Sequence, residues 1–412
     1  MDYFYKTINF IYAQNLMDYQ RSIKMARFAH IADCHLGGWK IPELQDLNFQ
    51  SFRKAVDICI KEKVEFIVFA GDTFDSAYPP IDILKETFYE FRRLKEARIP
   101  CFIIAGSHDS SVSGKTFLDV MERAGFCINL EKFEERDDKI ILLPTVYGDI
   151  AFYGYPGKRS GLEVQDLRRV KFQDAPGLFK IFVLHTTTTK VKGNLPIESI
   201  DEDVLPFANY YALGHIHVVF QYENFVYTGP LYPNNFQELE DLHHGGFFIV
   251  NTNRDGKFSI ERRDVPIKKV ESFEIEVNNG ITATDKIISE LNKRDIEDKV
   301  VLLRVRGVLE EGKHSDIKFS QIEEYVIKKN AYCLVKNTND LKTKDIEFEM
   351  KTTESENLEE DTIVKYTQEN PSDFNKLIPD LMNALSIEKL EDEKSIFYEN
   401  RLLDEVKKII SI

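Results

Sequence analysis

The stretch FIVFAGDTFD at residues 66–75 decides the fold, because an apolar run ends directly in a glycine and an aspartate. A short apolar run bounded by a turn residue is typical of a strand that is buried on both faces. Two further strands are predicted around it, RFAHIA at residues 27–32 and CFIIA at residues 101–105. Strands of this kind occur in parallel sheets whose two faces are both covered.

The segments between these strands predict helices. Residues 46–62 carry apolar side chains at helical spacing, and Pro79-Pro80 begins a second helix over residues 81–97. This alternation indicates parallel strands with helices packed on them. Further strands are predicted at 139–143, 150–155, 180–184, 209–213, 225–228, 246–250 and 257–263. The expected fold class is therefore α/β, a two-sheet sandwich flanked by helices in the order α-β-β-α.

Changes in pattern divide the chain into five segments. Residues 1–24 are expected to be an N-terminal extension, since Met25 directly precedes the first strand, and residues 25–265 form the main domain. Residues 266–345 alternate strands and helices and predict a small α+β domain. Residues 346–371 are polar and acidic, which is typical of a linker. Residues 372–412 regain helical periodicity and predict two amphipathic helices. These helices could dock on the main domain or on a partner, and the tether before them favours a partner.

Composition limits the class of protein. No apolar run approaches the ~20 residues of a membrane-spanning helix, so we expect no membrane association. The five cysteines are scattered without CxxC spacing, which favours free thiols in a reducing, cytoplasmic location. The net charge of −15 weakens a nucleic-acid hypothesis. It does not remove that hypothesis, because 15 acidic against 8 basic residues lie in the segment from residue 351 to the end.

Five segments with metal-binding side chains each follow a predicted strand. They are Asp33-Cys34-His35, Gly71-Asp72, Gly106-Ser107-His108-Asp109, His185 and Gly214-His215-Ile216-His217. Ligand sites of open α/β sheets gather at the carboxyl ends of the strands, so these side chains are expected to converge. In an extended chain, residues two apart point the same way, so Asp33 and His35 can share one ion, as can His215 and His217. Asp72 can bridge two ions.

Carboxylates mixed with imidazoles suit manganese, iron or zinc better than calcium. Two such ions are suited to phosphoryl transfer, because they activate water and neutralise charge on phosphate. A lone histidine is more often structural than a ligand. Five histidines in order at strand ends, with two aspartates and with glycines in three of the turns, are a much more specific pattern. His30 lies within a strand, and His243, His244 and His314 have no supporting partners, so all four are left out.

With these motifs, residues 26–250 resemble the calcineurin-like metallophosphoesterases. The more specific resemblance is to the DNA double-strand-break repair nucleases of the Mre11/SbcD family. FAHIADCHLG at 28–37, FAGDTFD at 69–75 and YYALGHIH at 210–217 carry it, and residues 227–238 match another stretch of that family loosely. The order of segments is also that of the family, which has a nuclease domain, a capping domain, a tether and a helical segment.

The resemblance implies two Mn²⁺ ions per chain. Asp33, His35 and His217 would hold one ion, and His185 and His215 would hold the other, with Asp72 shared. His108 would be the catalytic histidine beside the phosphate. Ser107 stands where the family usually has asparagine, which predicts a weaker ligand for the second ion. Asp75 stands where some relatives carry a histidine near the substrate, and Asp109 is also expected near the substrate.

The implied activity is 3′-to-5′ exonuclease and single-strand endonuclease cleavage in double-strand-break repair. The implied partners are DNA, a second copy of the chain, and an SMC-like ABC ATPase of the Rad50/SbcC type bound through residues 372–412. Two alternatives remain open at this point. One is a phosphodiesterase of small molecules on the same fold, which has less need of a tethered docking segment. The other is a DNA-binding scaffold whose catalysis is weakened at Ser107 and Asp75.

Overall fold

The computed structural model describes residues 25–111, 116–158, 161–193, 197–253, 255–344 and 395–410, with residues 377, 380, 381 and 384. The predicted N-terminal extension at 1–24 and the predicted linker at 346–371 lie outside the described residues. So does most of the first helix predicted within 372–412.

The described chain begins with alternating strands and helices and becomes rich in strands after β3. The strands are β1 (Arg27–Ile31), β2 (Phe66–Ala70), β3 (Cys101–Ile104), β4 (Ile128–Asn129), β5 (Phe133–Arg136), β6 (Lys139–Leu142), β7 (Thr145–Tyr147), β8 (Ile150–Tyr155), β9 (Val170–Phe172), β10 (Phe179–His185), β11 (Tyr210–Gly214), β12 (Val219–Tyr222), β13 (Phe225–Thr228), β14 (Gly246–Thr252), β15 (Phe258–Asp264), β16 (Val270–Glu276), β17 (Val300–Leu309), β18 (Cys333–Asn337) and β19 (Leu341–Thr343). The helices are α1 (Pro42–Glu62), α2 (Ile81–Glu96), α3 (Phe117–Arg123), α4 (Glu163–Leu167), α5 (Thr189–Lys192), α6 (Phe236–Leu242), α7 (Gly280–Leu291), α8 (Phe319–Lys328) and α9 (Ser395–Ile410).

Two six-stranded sheets form the main domain. The first has the order β15-β14-β1-β2-β3-β4, and the second has the order β12-β13-β11-β10-β8-β7. Each is parallel at its centre, since β1, β2, β3 and β4 run parallel in one sheet and β8, β10, β11 and β13 in the other. This confirms the predicted α/β sandwich. Because the central strands of each sheet are parallel, their carboxyl ends lie together on one side of that sheet.

The two sheets pack face to face through an aromatic core. Phe66 and Phe102 of the first sheet contact Phe152 of the second, with the Phe102 and Phe152 rings stacked at 4.0 Å. On the outer face of the first sheet, α1 and α2 bury Phe52 and Phe91. The outer face of the second sheet is covered by the short α4 and by the small sheet β5-β6-β9. The second helical layer is therefore thinner than the α-β-β-α prediction implied.

The small α+β unit has a sheet of its own. Its order is β16-β17-β18, with β19 paired to β17, and the three main strands run parallel. The first helix, α7, begins at Gly280, because the Asn279 side chain accepts hydrogen bonds from the amides of Ile281 and Thr282. The chain up to Leu341 forms one compact unit, and residues from Lys342 onward form another.

The last described helix, α9, lies in the second of these units. It covers the second amphipathic helix that was predicted within 372–412. Among the helices that the structure describes, none is long and apolar enough to cross a membrane.

Candidate metal centre

The candidate ligands come together where the carboxyl ends of the central strands of the two sheets meet. Asp33 and His35 follow β1, and Asp72 follows β2. His185 is the last residue of β10, and His215 directly follows β11. The close packing of these turns depends on glycine, since a Cβ at Gly71 would lie 2.3 Å from His185 Nδ1. The convergence predicted from strand order is what the structure has.

The backbone of these turns is not the extended chain that the sequence argument assumed. Asp33, His35, Asp72 and His215 have φ angles of 50°, 43°, 48° and 91°. This left-handed region costs a non-glycine residue about 1–2 kcal/mol. Four adjacent outliers of this kind are characteristic of a functional site, where the surrounding structure compensates the strain. Asp33 and His35 therefore meet through a tight turn and not through two-residue alternation.

The described part of the chain contains three groups of side chains that could bind a metal ion. Within each group, the possible ligand atoms lie within 4.8 Å of one another. The groups are Asp33 with His35 and His217, Asp33 with Asp72 and His185, and His35 with Asp75 and His108. Asp33 belongs to the first two groups, which makes them neighbours. We call them the outer group (Asp33, His35, His217) and the inner group (Asp33, Asp72, His185).

In the outer group, two imidazoles face each other. The Nε2 atoms of His35 and His217 are 3.1 Å apart. The Nδ1 of His35 lies 3.0 Å from Asp75 Oδ1, and the Nδ1 of His217 lies 2.9 Å from Glu238 Oε1. A carboxylate only accepts hydrogen bonds, so each Nδ1 carries a hydrogen, and the two Nε2 atoms are left to share a proton or to bind a metal ion. Only a positive charge between them makes this contact favourable.

The buried atoms around these rings also suit a cation. Asp33 Oδ2 is one of the buried side-chain atoms that lack a hydrogen-bond partner among the described residues. Buried polar atoms are nearly always paired, so orphans of this kind point to an ion. A histidine ligand whose other nitrogen donates to a carboxylate is the usual second shell of a metal site. The residues present therefore fit divalent metal ions.

The inner group is held by the core of the main domain. His185 Nε2 lies 3.1 Å from Asp72 Oδ2, and its Nδ1 hydrogen-bonds the Ala70 carbonyl oxygen at 2.9 Å. His215 packs against His185 with ring centroids 5.0 Å apart, and its backbone amide donates to Asp33 Oδ1. His217 belongs to the outer group and His215 lies beside the inner one. No group of possible ligand atoms in the described residues contains both His215 and His217, whose pairing on one ion was expected from their spacing.

The electrostatics of both groups favour a positive charge. Burial lowers the pKa of His185, but the charge of Asp72 and the hydrogen bond to it outweigh burial and raise the pKa to about 10. Burial likewise opposes protonation of His217, yet Glu238 and Asp33 raise its pKa to about 9. His215 differs, since burial and the neighbouring His185 charge lower its pKa to about 4. A proton on His185 or His217 occupies the place that a metal ion would take.

His108 lies at the rim of the site. Its side chain is 46% exposed, whereas His35 is buried. His108 Nδ1 donates to the Asp75 carbonyl oxygen at 3.1 Å, which leaves Nε2 for a substrate atom. The His108 backbone amide donates to Asp72 Oδ1 at 2.8 Å, so the same turn positions the histidine and fixes the shared carboxylate.

Asp75 and Asp109 were both expected near the substrate, and the structure gives them different tasks. Asp75 hydrogen-bonds His35 and accepts from Asn234 Nδ2 at 3.3 Å, so its carboxylate is turned towards a ligand. Asp109 is buried, and its two oxygens accept from the backbone amides of Thr73, Phe74 and Gly106. Asp109 joins the turns after β2 and β3 and is a positioning residue.

Ser107 lies beside the shared carboxylate. Its hydroxyl donates to Asp72 Oδ2 at 3.4 Å, a long hydrogen bond. Sequence reasoning missed Glu238, which lies 21 residues after His217 and contacts it through its side chain. The only signal for Glu238 was its place at the end of the loosely matching stretch 227–238.

The sandwich fold and this paired Asp/His site define the class of the protein. Residues 26–219 match the family model of calcineurin-like phosphoesterases, so this part of the chain is a domain of that family.

The chain is also similar to DNA double-strand break repair proteins Mre11 of archaea. It is 29% identical to that of Methanosarcina mazei over 339 residues, which cover 77% of this chain and 50% of the relative. It is 35% identical to that of Sulfurisphaera tokodaii over 204 residues, which cover 47% of this chain and 49% of the relative. The chain thus spans about half the length of these relatives. An uncharacterized metallophosphoesterase of Bacillus subtilis, YhaO, is 27% identical over 64% of this chain and 66% of its own.

Proposed function

We propose that the protein is a metal-dependent DNA nuclease of double-strand-break repair. The observation that carries this proposal is the pair of Nε2 atoms of His35 and His217, which face each other at 3.1 Å beside a second carboxylate–imidazole group. The likeness to Mre11 proteins gives the substrate class, DNA, and the role in repair. The proposed cleavage is 3′-to-5′ exonucleolytic on duplex ends and endonucleolytic on single strands.

The ligand assignment completes the proposal. Asp33, His35 and His217 would hold one Mn²⁺, and His185 and His215 the other, with Asp72 shared and Ser107 at the edge of the second position. When bound, two such ions activate water for attack and neutralise the developing charge on phosphate. Glu238 and Asp75 orient the outer histidines so that their Nε2 atoms face inwards.

His108 would act on the substrate directly. Its exposed ring and its free Nε2 allow it to contact a phosphate oxygen or to donate a proton to the leaving oxygen. Its Nδ1 hydrogen bond to the Asp75 carbonyl fixes the orientation of the ring. This gives His108 a role in catalysis that is separate from metal binding.

Two protein partners belong to the same proposal. Residues 372–412 would dock on an SMC-like ABC ATPase of the Rad50/SbcC type, and α9 supplies one amphipathic helix of this segment. A second copy of the chain would pack against the first helices. On α2 and just before it, Tyr78, Ile81 and Tyr89 expose large apolar side chains. Deletion of residues 372–412 should abolish ATPase binding in a pull-down assay and leave intrinsic cleavage unchanged. Retained ATPase binding would refute this docking site.

A cleavage assay on three substrates tests the function. With Mn²⁺, the full chain should degrade linear duplex DNA from its 3′ ends and cut circular single-stranded DNA. Asp72→Asn, which removes the ligand shared by both positions, should be inactive on both substrates. Rapid hydrolysis of bis(p-nitrophenyl) phosphate without DNA cleavage would favour a small-molecule phosphodiesterase. No cleavage of any substrate, with the ATPase present, would leave a DNA-binding scaffold.

A further inference from the structure

The small α+β unit, which we call the cap (residues 266–344), packs on the part of the main domain that supports the outer group. A buried apolar cluster joins the two. Its members are Leu44, Leu47, Tyr232 and Leu239 of the main domain and Val300, Leu302 and Val335 of the cap. Leu239 lies on α6, a helix of only seven residues. So short a helix is not stable in isolation, and its position depends on what packs against it.

One residue of the cap contacts α6 directly. Arg304 of β17 hydrogen-bonds Glu240 Oε2 at 2.6 Å and Gln237 Oε1 at 2.7 Å, and its guanidinium lies 5.0 Å from the centre of the Phe236 ring. Its side chain is only 14% exposed. Arginine is suited to this role because its planar fork can satisfy two acceptors and stack on an aromatic face at once. Arg304 therefore contacts three residues of α6.

The same helix carries the carboxylate that orients the outer group. Glu238 Oε1 lies 2.9 Å from His217 Nδ1. Glu238 Oε2 accepts from the backbone amide of Asn234, and the Asn234 side chain donates to Asp75, which bonds His35. The carboxylates behind both outer histidines are thus linked to α6. A shift of this helix moves Glu238 away from His217 and loosens Asp75 as well.

We propose that Arg304 is a positioning residue for metal binding, through which docking of the cap sets the affinity of the outer group alone. The inference rests on the proposed metal centre and extends it to regulation. The inner group lies outside this linkage, because His185 is held by the Ala70 carbonyl at the end of β2. A movement of the cap would loosen one metal position and leave the other intact.

Titration of Mn²⁺ into the metal-free full chain, followed by calorimetry and electron paramagnetic resonance, tests the inference. Arg304→Ala should weaken one of two binding events by about tenfold, the lower end of the effect of removing an outer-shell partner. Arg304→Lys should lose less, because it keeps a charge next to Glu240. Arg306→Ala is the matched control, since Arg306 lies two residues along the same strand and pairs with Glu274 within the cap. It should bind like the unaltered chain.

Unchanged Mn²⁺ binding by Arg304→Ala would overturn the inference, as would equal weakening of both events or an equal effect of Arg306→Ala. Glu240→Gln, on the main domain, tests the same link if the arginine variant folds poorly, and it should weaken the same event. Combining Arg304→Ala with Glu238→Gln should add little to Glu238→Gln alone, because both act on one contact. The readout needs no DNA, so a chain that binds Mn²⁺ as expected but cleaves nothing would refute the proposed function and leave this inference standing.

Discussion

The outer and inner groups use similar ligands but are supported in different ways. The outer histidines donate to side-chain carboxylates, His35 to Asp75 and His217 to Glu238. The inner His185 donates to a backbone carbonyl at the end of a central strand. A carboxylate raises the basicity of its histidine. It is carried by a side chain that can move, from the short helix α6 for Glu238 and from the loop after β2 for Asp75. A strand carbonyl is fixed by the sheet. We therefore expect the metal affinity of the outer group to change when its carboxylates move. The inner group is held rigidly.

The largest expected effect comes from His108, which belongs to the substrate side of both groups. His108→Ala should reduce DNA cleavage by about 10²–10⁴-fold, the usual contribution of general acid–base catalysis, because no other group replaces its Nε2. Both Mn²⁺ ions should still bind, which calorimetric titration of the variant measures. Loss of an ion would show that His108 is a ligand, and the outer group would then extend to Asp75 and His108.

The second effect separates the two groups. Glu238→Gln should weaken one Mn²⁺ binding event by about 10–100-fold and spare the other, because the amide withdraws the charge behind His217. Asp241→Asn is the control, since Asp241 lies on the same helix. Among the described residues, its side chain hydrogen-bonds Gln237 and no other residue. Titration of both variants measures the difference. Equal loss at both positions would contradict the division into two groups.

A third expectation contrasts two buried histidines. His30 hydrogen-bonds the Tyr210 hydroxyl, and burial lowers its pKa to about 3, whereas the acidic neighbours of His185 raise that pKa to about 10. The folded pKa of His30 lies below the ordinary value of about 6.5, so the unfolded chain binds the proton more readily between these values. Stability from His30 is complete above pH 6.5 and is lost as the pH falls towards 3.

The size of this effect is measurable by denaturant unfolding. Between pH 7 and pH 5 the metal-free chain should lose roughly 2 kcal/mol through His30. His30→Gln can keep a hydrogen bond to Tyr210 but cannot be protonated, so its loss over the same range should be smaller by that amount. An identical pH dependence of the two chains would show that His30 does not titrate on unfolding.

The smallest expected effect concerns Ser107. Its long hydrogen bond to Asp72 leaves room for a better ligand, since an amide oxygen reaches further than a hydroxyl. Ser107→Asn should tighten the weaker Mn²⁺ binding event several-fold and raise the rate of cleavage. Unchanged titration and kinetics would show that Ser107 does not limit the inner position.

Much of the fold was predictable because its signals are local. The runs at residues 66–70 and 101–104 are strands as predicted, and α1 ends at the predicted residue, although it begins at Pro42 and not at residue 46. Short elements such as α6 and β4 were missed, because elements of seven and two residues carry too few positions for a period to show.

The gathering of candidate ligands at one end of the strands was predictable, but the geometry of the site was not. Glu238 contacts His217 through side chains, and Asn234 reaches Asp75 across 159 residues of sequence. No spacing rule connects such distant positions. The left-handed turns at Asp33 and Asp72 were likewise hidden, since aspartate tolerates that conformation but does not require it.

The sequence by itself determined which residues can bind metal and that they gather at one end of the strands, because strand order and the carboxyl ends of parallel strands follow from local pattern. Only the tertiary structure decided how they divide into two groups and which carboxylate hydrogen-bonds each outer histidine. It also decided that the cap contacts the helix that carries Glu238. These depend on contacts between elements far apart in the chain, where packing of the two sheets and the cap selects one arrangement among many that the same local pattern permits.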